Sequence, residues 1–144
     1  MNTTLRGNIN LDLDKSKMEE AIQSFPFQIS DAIAKFQNIN LINKYQEINN
    51  IMILGVGGSA IGADLAKIIV NEDCCQPIIL NRSYTIPNWV NSKTLIIACS
   101  YSGNTEETLN AFKQCKKRNC KIIIISTGGK LVEEGQKLKL DNII

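Results

Sequence analysis

The sequence contains no histidine. That absence removes Ser-His and Cys-His nucleophile pairs, histidine-containing zinc sites and imidazole proton transfer together. Neither sign of charge dominates, with 16 Lys and Arg against 14 Asp and Glu. No whole-molecule field therefore draws the chain to nucleic acid or anionic lipid, and any anion site has to be local. No stretch approaches the roughly 18 consecutive apolar residues of a membrane span. Residues 1–10 are polar, without the apolar centre of a secretory leader, so a cytoplasmic protein with no membrane and no nucleic-acid partner is expected. The five cysteines are odd in number and show no C-x-x-C spacing. This argues against a disulfide framework, a redox dithiol or a four-sulfur metal site, and they read as reduced thiols with neither metal nor cofactor. No internal repeat and no low-complexity linker divides the chain.

What is present describes one compact domain: 144 residues, 44% hydrophobic and 21% charged. Between residues 14 and 50 the apolar residues Met18, Ala21, Ile22, Ile29, Ile33 and Phe36 recur at helical spacing. Phe25-Pro26 breaks the run, which predicts two helices with Pro26 in the first turn of the second. After Asn50 short apolar runs (51–54, 78–80, 94–99, 121–125) alternate with amphipathic stretches near 62–70, 104–118 and 130–138. Ile122-Ile123-Ile124-Ile125 does not alternate with polar residues, the pattern of a strand covered on both faces. The expectation is an α/β, three-layer, doubly wound parallel sheet of flavodoxin-like order 2-1-3-4-5, preceded by two N-terminal helices. Residues 1–50 read as a helical segment packing on a domain of residues 51–144. Leu140 to Ile144 reads as the opening of a fifth strand cut short, as in a piece of a longer parent.

Two loops carry the chemistry. The first strand runs into Gly55-Val56-Gly57-Gly58-Ser59-Ala60-Ile61-Gly62, where glycines let backbone N–H groups approach an anion at a helix start. This loop also matches the looser dinucleotide fingerprint, but the second strand closes with Leu80-Asn81-Arg82 instead of an acidic residue, which disfavours that reading. Gly129-Lys130 is followed by Leu131, so no Walker loop exists, and no nucleophile elbow is complete. The third strand delivers Ser100-Tyr101-Ser102-Gly103-Asn104-Thr105-Glu106-Glu107 directly before a helix. Asn104 or Thr105 can cap that helix, and Asn104 with Glu107 has capping-box spacing. Capping needs one side chain, whereas Ser100, Ser102 and Thr105 crowd a single turn beside backbone donors, as a phosphate requires. In the expected strand order Ser59 faces this loop across the switch-point crevice, and Lys130, in the loop after the fourth strand, leans over it.

These segments, with Arg82-Ser83-Tyr84-Thr85-Ile86-Pro87 and Ser126-Thr127-Gly128-Gly129-Lys130-Leu131, resemble the SIS (sugar isomerase) domains from about Met18 onward. Within that family they resemble the N-terminal half of the bifunctional phosphoglucose/phosphomannose isomerases. The resemblance implies that Ser100, Ser102 and Thr105 hold the phosphate of fructose 6-phosphate, glucose 6-phosphate or mannose 6-phosphate, and that Gly57, Gly58 and Ser59 border the sugar. It also implies that Lys130, where the family usually has arginine, steadies an enediol. The family's glutamate base, its ring-opening histidine and a further lysine lie in a second SIS domain, so none is carried over to this chain. The resemblance thus implies aldose–ketose isomerisation for a parent and none for this chain alone, with a sugar-phosphate sensor as the alternative. A homodimer through the residue 14–50 helices is expected to replace the missing tandem partner.

Overall fold

The computed structural model describes residues 14–37 and 39–144, and the polar start of the chain, residues 1–10, lies outside them. The chain divides into two compact units, Met1–Asn40 and Leu41–Ile144. The first holds α1 (Met18–Gln23) and α2 (Phe25–Phe36), with Pro26 in the first turn of α2 as its fixed φ favours. None of their side chains is buried, and Ile29, Ile33 and Phe36 are among the exposed apolar residues.

The second unit runs β1 (Asn50–Leu54), α3 (Gly58–Ile69), β2 (Ile78–Asn81), β3 (Thr94–Cys99), α4 (Glu106–Lys117), β4 (Lys121–Ile125), α5 (Gly129–Lys137) and β5 (Asp141–Ile143). The five strands form one parallel sheet of order β2-β1-β3-β4-β5, flanked by helices, as the apolar runs predict. The register places Met52, Ile96 and Ile122 abreast on one face, with Leu54, Ala98 and Ile124 one pleat further on. Against these six pack Ala111, Phe112 and Cys115 of α4 and Leu131 and Val132 of α5, together with Ile86 and Val90 from the β2–β3 connection. Burying a side chain such as Phe112 contributes about 1.5–3 kcal/mol. The two faces are covered unequally, however: β3 alternates, with Leu95, Ile97 and Cys99 only half-buried.

Residues 41–45, grouped by the helical pattern with the segment before the sheet, are bonded to β5. Asp141 is 4% exposed, and its carboxylate accepts from Ile42 N (2.6 Å), Asn43 N (3.0 Å), Asn43 Nδ2 (2.9 Å) and Tyr45 Oη (2.5 Å). Burial raises the Asp141 carboxyl, but these donors outweigh it and bring it down to about 2. Burial and the adjacent Asp141 charge push the Tyr45 phenol well above its ordinary range.

Two helix starts differ from the sequence expectation. α3 begins at Gly58, four residues before Gly62, because the glycine-rich turn enters the helix at once with Gly57 as N-cap. The Asn104–Glu107 capping box does not form: Thr105 is the N-cap of α4, without a side-chain cap bond, because its hydroxyl and Asn104's amide are engaged elsewhere.

Candidate phosphate-binding site

The carboxyl ends of β1, β3 and β4 carry the three loops that the strand order brings together, since connections leave β1 and β3 in opposite directions. An open pocket of about 620 Å³ lies there, lined by Val56, Gly58 and Ser59 from the first loop and Tyr101, Ser102 and Thr105 from the second. Four of the residues singled out from sequence, Gly58, Ser59, Ser102 and Thr105, therefore share one wall-to-wall space. Gly57 is not among the lining residues and is the N-cap of α3. Ser100 lies behind it, 2% exposed, with Oγ 2.9 Å from Thr105 Oγ1. Ser102 Oγ accepts from Asn104 N at 3.2 Å. With no side-chain cap on α4, the first-turn N–H groups beside Thr105 are left to other acceptors, at the end where the helix dipole favours negative charge.

The loop after β4 is clamped onto this one. Tyr101 O accepts from Thr127 N (3.2 Å) and Thr127 Oγ1 (2.6 Å), and Gly103 O accepts from Leu131 N (3.0 Å). Gly103 (φ 66°) and Gly129 (φ 70°) meet at the seam, where a Cβ on Gly103 would overlap the Gly128 carbonyl and one on Gly129 the Ser102 carbonyl. Glycine is thus required at both positions by φ and by space. Asn104 bridges the loops: its Nδ2 donates to Ser102 O at 3.0 Å and its Oδ1 accepts from Lys130 N at 3.2 Å. Lys130 is exposed, its backbone fixed by that bond, and it is not among the residues lining the pocket. Sequence reasoning missed the seam made by Gly103, Asn104 and Gly129. The signal was there in the two glycines after β4, whose partner only the tertiary approach supplies.

The surrounding groups narrow the chemistry. Cys99, at the end of β3, is pushed up to about 11 by burial and is no thiolate nucleophile. Arg82 pairs with Asp64, which occupies the cation that a dinucleotide's extra phosphate would need. Glu106 and Glu107 stand in the first turn of α4. Tyr84 is held above its ordinary value by desolvation and then by the charges of Glu107 and Glu106. The Tyr84 loop is tied to α4 through Gln114 Nε2, which donates to Tyr84 O at 2.6 Å, and Arg118 Nη1, which donates to Pro87 O at 2.7 Å. Among the described residues no helix is long and apolar enough to cross a membrane.

Residues 44–134 match a family model described as "SIS domain". A bifunctional phosphoglucose/phosphomannose isomerase of Caldicellulosiruptor bescii is 47% identical over 126 residues, covering 88% of this chain and 37% of that protein. The chain spans about a third of the length of the curated relatives it matches. Among solved structures, a proposed phosphosugar isomerase of Bacillus subtilis aligns with TM-score 0.52 at 26% identity, over 60% of this chain and 29% of that one. The Vibrio vulnificus NanR protein, solved with ManNAc-6P, aligns with TM-score 0.53 at 18% identity over 83% of this chain and 48% of its own, a likeness of fold alone.

Proposed function

The chain belongs to the SIS-domain family, and from that premise we propose that residues 51–144 bind a sugar phosphate as the N-terminal half of a glucose-6-phosphate/mannose-6-phosphate aldose–ketose isomerase. The observation that carries the reading is the meeting of Ser59, Ser102 and Thr105 around one pocket at the uncapped start of α4. A phosphate there accepts from Ser102 and Thr105 and from first-turn backbone N–H groups, while buried Ser100 orients the Thr105 hydroxyl. Gly57, Gly58 and Ser59 border the sugar, whose close approach the small side chains allow. Lys130, with its backbone held by Asn104, supplies positive charge to a developing enediolate; as lysine it does so without the planar fork of an arginine.

Fructose 6-phosphate, glucose 6-phosphate and mannose 6-phosphate are the proposed ligands. The chain is placed in the cytoplasm, in keeping with five free thiols, and in a homodimer. Exposed apolar side chains support the second copy: Ile29, Ile33 and Phe36 on α2, and Ile61, Leu65 and Ile68 on α3.

Amide-resolved NMR titration with inorganic phosphate tests the site. Saturable shifts centred on Ser102 and Thr105 to Thr108 are expected, and shifts scattered over the surface lysines instead would contradict it. A sensor reading has one observation in its favour, the shared fold of NanR with its bound ManNAc-6P; tight sugar-phosphate binding that alters oligomeric state would support it.

A further inference from the structure

We propose that Cys115 and Cys120 form a reversible disulfide when the protein meets a hydroperoxide. The C-x4-C spacing belongs to no dithiol motif, but the backbone brings the two residues together. α4 ends at Lys117, Arg118 is the C-cap and Asn119 is left-handed at φ 55°. Asn119 N donates to Lys116 O at 3.0 Å and Cys120 N to Cys115 O at 3.1 Å, the paired reverse bonds of a Schellman motif. In that motif the side chains at these two positions pack against each other, and here both are thiols. Cys115 is fully buried in the main core cluster, and Cys120 packs against that cluster half-buried.

The two thiols are not equivalent. The neighbouring Cys115 thiol favours the Cys120 thiolate, against the cost of desolvation and with help from the Arg118 charge, whereas the neighbouring Cys120 and burial keep Cys115 protonated. Arg118 is held in place by donating to Pro87 O and Val90 O. In the first step the Cys120 sulfur attacks one peroxide oxygen. An S–O bond forms and the O–O bond breaks, and the leaving oxygen takes a proton to depart as an alcohol or water. In the second the Cys115 sulfur attacks the Cys120 sulfenic acid: the S–S bond forms, the S–O bond breaks, and the departing hydroxide takes the Cys115 proton as water. Two thiols and one hydroperoxide become a disulfide, an alcohol or water, and one further water; a small thiol reductant reverses the change.

The other cysteines are set apart. Cys74 and Cys75 lie before β2, where Cys74 Sγ donates to Gln76 O at 3.5 Å, and Cys99 is at the end of β3. Cys115 also stands ten residues beyond Thr105 along α4, about 15 Å of helix rise from the phosphate loop. Oxidation is therefore expected to leave phosphate affinity unchanged within about twofold.

The test is peptide mapping of the whole chain after treatment with hydrogen peroxide, with alkylation under denaturing, non-reducing conditions. Trypsin separates Gln114–Lys116 from Asn119–Lys121, and the expected product is these two peptides linked and short of two hydrogens, released by reduction. Cys120→Ser abolishes the link. Cys115→Ser leaves a Cys120 sulfenic acid that dimedone traps; should that core variant fail to fold, the Cys120→Ser map and the wild-type link still decide. Recovery of both peptides alkylated, or of Cys120 as sulfinic acid with Cys115 still alkylatable, would overturn the proposal.

Discussion

Ser100 Oγ and Thr105 Oγ1 lie 2.9 Å apart across the loop that joins β3 to α4. The bond makes the buried serine a support and turns the half-buried threonine toward the pocket, so the hydroxyls of one loop divide into two roles. Thr105→Val keeps the side-chain shape but leaves the Ser100 hydroxyl buried without its partner. It is expected to cost about 1–3 kcal/mol of stability as well as sugar-phosphate affinity. Ser102→Ala, at an exposed position, should change stability by no more than about 0.5 kcal/mol while weakening binding about tenfold or more. Urea denaturation read beside calorimetric titration separates the two effects.

Gly103→Ala is expected to be among the most damaging single-methyl changes in the domain. The added Cβ meets the Gly128 carbonyl, and the left-handed backbone adds strain, so the seam between the β3 and β4 loops has to open. A loss of about 2 kcal/mol or more is expected. Gly58→Ala is the control, because nothing lies within 4 Å of its Cβ position. A thermal melt of the two variants checks this; equal midpoints would remove the seam from the account.

Stability is expected to fall in acid through Asp141. Its folded value, about 2, lies below the ordinary 3.8, so the contribution is complete above about pH 4 and is lost as pH falls toward 2. Tyr45 acts at the other end. Its folded value is raised, so its contribution is present below about pH 10, the ordinary tyrosine value, and is lost at higher pH. Tyr45→Phe removes the alkaline limb and the tyrosine's share of the acid limb, the Ile42 and Asn43 donors keeping the rest: the excess stability of the wild type over the variant should be flat near neutrality and shrink toward pH 2 and above pH 10. Denaturation midpoints across the pH range measure it.

Much of the fold can be read from local pattern because parallel strands covered on both faces and amphipathic crossovers leave distinct periods, and the strand order follows from them. The serine–threonine loop was likewise visible, since its residue types bunch within one turn. The long-range choices were not. Asp141 at the start of β5 gives no local hint that Ile42, Asn43 and Tyr45 are its donors, because the pairing spans almost the whole domain. Asn104 has the spacing of a cap, yet a carbonyl in its own loop and an N–H from the next compete for its amide and win. The Schellman turn that joins Cys115 to Cys120 is hidden for a related reason, as Asn119, not glycine, takes the left-handed position.

The 144-residue chain by itself is expected to show no aldose–ketose isomerisation. Such a reaction needs a base near the sugar C2 and, for a closed ring, an acid–base group to open it, each worth about 10²–10⁴-fold. Glu106 and Glu107 stand where the α4 dipole favours their charge, and the chain has no imidazole. A coupled assay for glucose 6-phosphate from fructose 6-phosphate should read background. Turnover abolished by Glu106→Gln or Glu107→Gln would place the base within this chain.

The central claim is that the loop from Ser100 to Thr105 recognises the phosphate of a sugar phosphate, and the most direct measurement is calorimetric titration of the wild-type chain with fructose 6-phosphate and, separately, with free fructose. The account predicts saturable binding of the first, weakened about tenfold or more by Ser102→Ala, and no measurable heat from the second. Equal affinity for the two sugars, or fructose 6-phosphate binding untouched by Ser102→Ala and Thr105→Val, would contradict it.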